Sequence, residues 1–427
     1  MGVRVAVVGG GSTYTPELVE GFVRRYDRLP VDELVLHDID EERLEIVGGL
    51  AERMADKADS PTRILSTTSR DEALDGADFV IIQLRVGGQA ARLIDETLPP
   101  TFGTIGQETT GAGGLAKALR TVPVVLDLAE AAARRAASGA WILDFTNPVG
   151  IVTQALLDEG HRAIGLCNVA IGFQRDLAKR FGVDPDRVQL EHVGLNHLTW
   201  ERRVLVDGED CLPSLLASDA EGIARQVRLP VELIRALGSI PSYYLRYFYA
   251  FPTVLEEQRG GHTRAQEVID IERELLTMYR DPSLAEKPEL LARRGGAHYS
   301  EAAAQLIASL YTDKGDVQVV NVRNDGAMPD LPASAVVEVA ARIGRAGAVP
   351  LPLEPLEPDQ RGLVQAIKAF EDLAIRAAMS GDRMLALRAL LEHPLVPGYE
   401  VAAPLLDALL DAHRAHLPRF FAASATA

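Results

Sequence analysis

The sequence predicts an α/β protein. Residues 1–165 form a doubly wound parallel sheet, and residues 166–427 form an α+β, largely helical C-terminal domain. Three observations carry this prediction. Short continuous apolar runs alternate with helical patterns across 1–165, as expected of strands buried on both faces of a parallel sheet. A glycine-rich turn follows the first run directly, and an acidic residue ends the second. At 427 residues and 47% hydrophobic content, the chain is too long for a single core.

The run at 3–8 (VRVAVV) is the first strand. The runs at 34–37 (LVLH), 79–83 (FVIIQ), 141–145 (WILDF) and 163–166 (AIGL) repeat the pattern. The first helix is predicted at 16–26, with Thr15 as N-cap and Pro16 at the first helical position. Leu44, Val47 and Leu50 give helical spacing to 41–56, and 115–136 is a long Ala-rich helix. After about position 165 the pattern changes. Strands are predicted at 188–193 and 199–206. Helices follow at 217–237, 263–279, 362–379, 383–391 and 402–416. The proline-rich run at 349–358 (VPLPLEPLEP) is a surface connection, too short to separate independent units.

Composition narrows the function classes. The chain has 44 basic against 61 acidic residues, a formal charge of −17, which argues against nucleic acid and against anionic membrane surfaces as partners. Only Cys167 and Cys211 carry thiols, too few for a disulfide framework, so a cytoplasmic location is expected. No uncharged apolar run is long enough to cross a bilayer, and no apolar leader precedes the first strand, so neither a membrane span nor a signal peptide is expected.

The turn Gly9, Gly10, Gly11, Ser12 and Thr13 sits where a dinucleotide's pyrophosphate approaches the backbone of a Rossmann-like fold. Asp38 ends the second strand, where a carboxylate accepts hydrogen bonds from ribose hydroxyls and disfavours a 2′-phosphate. This points to NAD over NADP. The third glycine of the usual pattern falls on Tyr14, and a turn of this kind also occurs in proteins that bind no nucleotide.

Cys167 and Asn168 lie just past a strand end, and His197 lies between two predicted strands. A thiolate and an imidazole suit a divalent metal. On spacing alone, a buried cysteine and a satisfied histidine account for the pair better than a metal site does. Asn147 also lies past a strand end, and Gln107 and Glu108 sit in a Gly/Thr loop. The stretch SIPSYYLRYFY packs four tyrosines beside Arg246. Such a stretch suits core packing, or a base if one tyrosine's pKa is lowered. Arg85, Arg92 and Arg264 offer planar forks for a phosphate, though each alone is also an ordinary ion-pair residue.

Taken in order, GGGSTYTPELVEG, IIQLRVGGQAAR, IGQETTGAGG, LDFTNPVG, GLCNV and GLNH resemble glycoside hydrolase family four. RGGAHYSEAA, NVRNDGA and the HPLVP segment extend the resemblance to about position 420. Within the family the chain is most similar to the branch acting on 6-phospho-β-glucosides, such as phosphorylated cellobiose or aryl glucosides. The resemblance implies a fold related to lactate and malate dehydrogenases, with NAD and Mn²⁺ as cofactors. It outweighs the spacing argument and implies that Cys167 and His197 are metal ligands. It also implies that Tyr244 is the base that removes the sugar C2 proton, with Tyr243 and Tyr247 as alternatives. Asn147 and Asn168 are implied as contacts to substrate hydroxyls, and Arg92 and Arg264 as substrate-binding arginines. The family's α-glucosidase branch has an acidic aspartate directly after the metal cysteine. Here Asn168 takes that place, which favours a β-linked substrate and leaves the acid unassigned. The implied mechanism is redox-assisted elimination and addition rather than the two-carboxylate route of most glycosidases. The family implies a homodimer or homotetramer. The alternatives are a family-related glycosidase on another sugar (an α-glucoside or a galactoside), an unphosphorylated glucoside as substrate, an NAD-dependent 2-hydroxy acid dehydrogenase, and a non-catalytic dinucleotide sensor.

Overall fold

The computed structural model describes residues 2–295 and 299–422 of the 427. Six strands lie parallel: β1 (Val3–Val8), β2 (Val31–His37), β3 (Arg63–Thr67), β4 (Phe79–Ile82), β5 (Trp141–Asp144) and β6 (Ala163–Gly165). Their spatial order, β3-β2-β1-β4-β5-β6, is that of a doubly wound dinucleotide fold, with the switch point between β1 and β4. The apolar runs explain the burial. Along β1, Val3, Val5 and Val7 enter one core with Leu18 and Phe22, while Ala6 and Val8 enter the opposite core with Leu115 and Leu119.

A second, smaller sheet contains β7 (Val188–Leu195), β8 (Leu198–Val206), β9 (Glu209–Asp210) and β10 (Ile240–Pro241), in the order β10-β8-β7 with β9 beside β8. The chain then returns to the first sheet. Strands β11 (Asp316–Arg323), β12 (Val336–Gly344) and β13 (Gly347–Pro350) add antiparallel to its β6 edge, completing nine strands. Three strands from 166–427 therefore finish the sheet begun by 1–165, and one core runs through both segments: Val5 and Leu18 share it with Leu306, Val320 and Val339.

Several local expectations are corrected. Thr15 is the first helical residue rather than the cap of the helix Thr15–Val23, and its hydroxyl donates to the Gly10 carbonyl at 2.8 Å. The helix expected at 217–237 is two, Leu212–Val227 and Val231–Leu237. Arg228 adopts a left-handed φ of 55° between them, and Pro230 cannot continue a helix. The run at 349–358 is a surface connection only after Pro350, because its first residues belong to edge strand β13. Strand β3 has no fully buried position and gave no apolar run to recognise. The helices Gly88–Thr101 and Tyr299–Thr312 also escaped the sequence pattern. Within the motif RGGAHYSEAA, residues 296–298 lie outside the described residues.

The C-terminal helices Pro358–Ser380, Arg383–Glu392 and Tyr399–Ala412 pack against the long helix Gly111–Arg135 through Leu390, Leu405, Leu406 and Leu409. A buried ion pair pins this layer. Arg120 and Asp95 are both fully buried and paired through two N–H groups, one at 3.0 Å. His413 Nε2 lies 3.0 Å from Asp95 Oδ1, and Arg120 Nε donates to the Val86 carbonyl at 3.1 Å. Replacing Arg120 with methionine strips Asp95 of its main counter-charge. The expected loss is about 3–5 kcal/mol in urea denaturation, and adding Asp95→Asn recovers part of it.

Candidate active site

A cleft of about 2230 Å³ opens beyond the carboxyl ends of β1, β2, β4, β5 and β6. At one end the chain turns sharply after β1. Gly9 has φ +90°, a conformation that favours glycine, and a Cβ on Gly10 would sit 2.8 Å from Leu36 Cβ, so the turn lies tight against β2. Gly11 donates its N–H to Asp38 Oδ2 at 2.9 Å. Asp38 thus holds the turn while it also faces the cleft. Of the expected turn residues, Gly9 and Ser12 line the cleft, whereas Thr13 is fully buried. Its hydroxyl accepts from Arg294 Nε at 2.7 Å and its carbonyl from the Tyr279 hydroxyl at 2.8 Å. Ile39, 92% exposed, and Val124 give this end two bare apolar walls.

Cys167 follows β6 and occupies the N-cap position of the helix Asn168–Phe181; it is 5% exposed. Asn168, the first residue of that helix, lines the cleft. His197 sits in the tight turn between β7 and β8 with φ +66°, a conformation rare for a residue other than glycine. Its Nδ1 lies 2.7 Å from the Thr109 hydroxyl, which is itself 2.8 Å from Gln107 Oε1. Gln107 Oε1 can only accept, so the Thr109 hydrogen points to it and His197 Nδ1 carries the proton. That leaves the Nε2 lone pair available. Burial pushes the His197 pKa down to about 4, so the ring is neutral at ordinary pH. The ring stacks on Tyr244 with centroids 3.7 Å apart and planes within 6°.

Tyr244 therefore faces the candidate metal pair. Burial, then the neighbouring Cys167, Tyr247 and Glu108, hold its hydroxyl well above the ordinary range, and Arg92 opposes them. Tyr243 and Tyr247 pack edge-on or tilted nearby, with centroids about 6 Å away. Both line the same cleft. Among the described residues, no group of three or more His, Cys, Asp or Glu side chains could hold a metal. Cys167 and His197 would thus leave most of a metal's coordination open.

The loop before the long helix brings together charges that the sequence left scattered. Glu108 pairs with Arg85, with Lys117 Nζ at 2.5 Å and with Arg92 Nε at 3.3 Å. Burial opposes its ionisation, but Arg85, Lys117 and Arg92 together hold the carboxyl well below its usual range. Lys117 is itself pushed down to about 7 by burial and by Arg85. Sequence reasoning missed Lys117. The signal was its place in 111–122, a stretch too rich in Gly, Ala and Leu to offer a wet face; every residue there is buried. Asn147 also lines the cleft, and its buried Oδ1 has no hydrogen-bond partner among the described residues. Arg264 reaches the rim, 41% exposed, where it pairs with Glu267 at 2.6 Å and donates to the Arg293 carbonyl at 2.7 Å.

Behind the turn carrying His197 lies a buried polar hub. Glu338 on β12 accepts from Asn196 Nδ2 at 2.7 Å and from Asn321 Nδ2 at 2.9 Å, and meets His192 Nε2 at 3.0 Å. His192 Nδ1 lies 2.7 Å from Glu201 Oε1. Burial works against a charged His192, yet Glu201 and Glu338 outweigh it and push its pKa up to about 10.

Residues 4–183 match the model described as family 4 glycosyl hydrolase, and residues 192–396 match that of the family's C-terminal domain. The chain is 45% identical to a Bacillus subtilis (strain 168) protein named probable 6-phospho-beta-glucosidase, over 98% of each chain. The solved structure of the 6-phospho-beta glucosidase from Thermotoga maritima with manganese, NAD⁺ and glucose-6-phosphate is 36% identical. It gives a TM-score of 0.91 over 97% of this chain and 99% of that one. Malate dehydrogenase from Plasmodium falciparum shares the fold, with a TM-score of 0.54 at 14% identity over 88% of this chain and 98% of that one.

The hub has a pH signature. His192 gains its counter-charges on folding, so the stability it contributes is complete below pH 6.5 and is lost as the pH rises through about 10. Lys117 shifts the other way, which makes a difference measurement necessary. Glu201→Gln should cost about 2 kcal/mol near pH 6, and that cost should shrink as the pH climbs toward 10. Chemical denaturation of both proteins across this range checks it; a penalty independent of pH would mean that His192 is neutral in the fold.

Proposed function

This chain belongs to the family 4 glycosyl hydrolases, and we propose that it hydrolyses 6-phospho-β-glucosides by redox-assisted elimination and addition, using NAD and Mn²⁺. The observation that carries this reading is the convergence in one cleft of a glycine turn with Asp38, of His197 and of Tyr244 stacked on that histidine, with buried Cys167 near enough to act on the Tyr244 hydroxyl. The names of its relatives support the substrate class.

The residues fit both cofactors. Gly9 and Ser12 of the tight turn line the cleft and would meet a pyrophosphate, Asp38 offers a carboxylate to ribose hydroxyls, and Ile39 and Val124 offer apolar surface to a flat base. Cys167 and His197 would hold the metal, with the Nε2 lone pair aimed by Thr109 and Gln107. Such a pair binds zinc or copper more tightly than manganese, so selection for manganese rests on open, oxygen-rich coordination. When bound, NAD would supply a reversible hydride acceptor, and the metal would supply a Lewis acid that acidifies the sugar C2 proton.

The protein's own groups do the rest. Asn147, whose buried Oδ1 lacks a partner among the described residues, and Asn168 hold sugar hydroxyls. Arg92 and Arg264 face the anionic end of the substrate. Tyr244 takes the C2 proton; burial, Cys167, Tyr247 and Glu108 disfavour its tyrosinate form and Arg92 opposes them, so the positive charge of a bound metal would be needed to favour it. Elimination of the C1 substituent and addition of water would follow, in a cycle with no net oxidation. In this reading 1–165 carries the dinucleotide, and 166–427 brings the metal ligands and the base.

The test is cleavage of p-nitrophenyl β-glucoside 6-phosphate in deuterium oxide. Activity is expected to require both NAD and Mn²⁺, deuterium to appear at C2 of the product, and no NADH to accumulate. Full activity without either cofactor, or a product free of deuterium, overturns the mechanism, and NADH formed in step with product points instead to a dehydrogenase. Tyr244→Phe is expected to lower kcat by about 10²–10⁴-fold with NAD affinity unchanged; parent-like turnover would move the role of base to Tyr243 or Tyr247.

A further inference from the structure

We propose that Glu338 is a positioning residue that sets the spacing between Cys167 and His197, an inference that rests on reading those two as metal ligands. The two side chains arrive from different parts of the fold. Cys167 follows β6, a strand of only three residues, and the pairing of β6 with β11 is the single register Asn321 opposite Gly165. His197 arrives on the turn of the second sheet. Glu338 touches both supports at once. One of its oxygens accepts from Asn321, beside the strand that delivers Cys167, and from Asn196, the neighbour of His197. The other meets His192, which precedes His197 on β7.

The chemistry argues for a geometric role rather than a stabilising one. A carboxylate only 1% exposed is costly to bury, and apolar packing usually serves stability as well or better. Glu338 instead gathers donors from β7, from the β7–β8 turn and from β11 onto one group. The turn needs such an anchor, because His197 holds a left-handed conformation unusual for its residue type. Thr109 fixes the ring of His197, and Asn196 with Glu338 fixes the backbone beneath it.

The test uses Glu338→Gln and Asn196→Ala in the full chain with NAD present. Mn²⁺ affinity is read from the free-ion electron paramagnetic resonance signal. Co²⁺ provides a second readout through its thiolate charge-transfer band, alongside NAD affinity and the thermal midpoint. Both variants are expected to weaken Mn²⁺ binding by about 10–100-fold and to shift or bleach the Co²⁺ band, with NAD affinity within about twofold of the parent. A purely structural role would lower the thermal midpoint and leave the metal readouts at parent values; that outcome overturns the proposal. Should Glu338→Gln fail to fold, Asn196→Ala, at a half-buried turn, decides by the same readouts. Cys167→Ser separates the two levels of argument. If it also leaves Mn²⁺ affinity unchanged, the metal pair itself is wrong; if it abolishes binding while the other two variants do not, only the role of Glu338 falls.

Discussion

The edge of the parallel sheet at β6 has to be covered, and the way it is covered organises the whole molecule. An uncovered edge presents unpaired backbone groups to any passing strand. Here the chain leaves β6, builds helices and a second sheet, and returns much later with β11, β12 and β13. The closure brings β12 against β7 and so sets the second sheet beside the strand ends of the first. The cleft lies along those strand ends, at the place where a doubly wound fold presents backbone N–H groups to an anion.

Electrostatics within the cleft run against the character of the chain. The protein carries a formal charge of −17, yet Arg85, Arg92, Lys117, Arg264 and Arg294 all face this space. Carboxylates line the same space, among them Asp38, Glu96, Glu108 and Glu272, so the cleft wall is close to neutral in a strongly acidic protein. Glu108 keeps three of those cations together. Without a carboxylate among them, burying an ammonium beside guanidinium groups would be strongly unfavourable. The low pKa of Lys117 shows that the balance is close.

The two histidines near the turn illustrate how surroundings divide one residue type into two roles. His197 is buried beside a hydroxyl and an aromatic face, and burial keeps it neutral. His192, on the strand before the turn, is buried between two carboxylates and stays charged. A neutral ring with one committed nitrogen suits coordination, and a charged ring with both nitrogens committed suits a structural tie. Their places in the hairpin decide the difference. His192 lies within β7, directly opposite Glu201 on β8, whereas His197 lies in the turn, where it meets the loop carrying Thr109.

Local chemistry made the first half of the fold legible. Apolar runs such as VRVAVV must be buried on both faces, a glycine turn after the first strand admits few conformations, and an acid at the end of the second strand has few uses there. Pattern also marked the motifs around Asn147, Cys167 and His197, because each lies just past a strand end. Sequence carries no record of the distance between Cys167 and His197, since a helix and a strand lie between them. Nor could it show Lys117 as buried, or Glu338 as anything but one charge among 61 acidic residues. The place of Glu338 depends on which strands close the β6 edge and in what register, and register is chosen by the packing of the whole sheet rather than by any short stretch of chain.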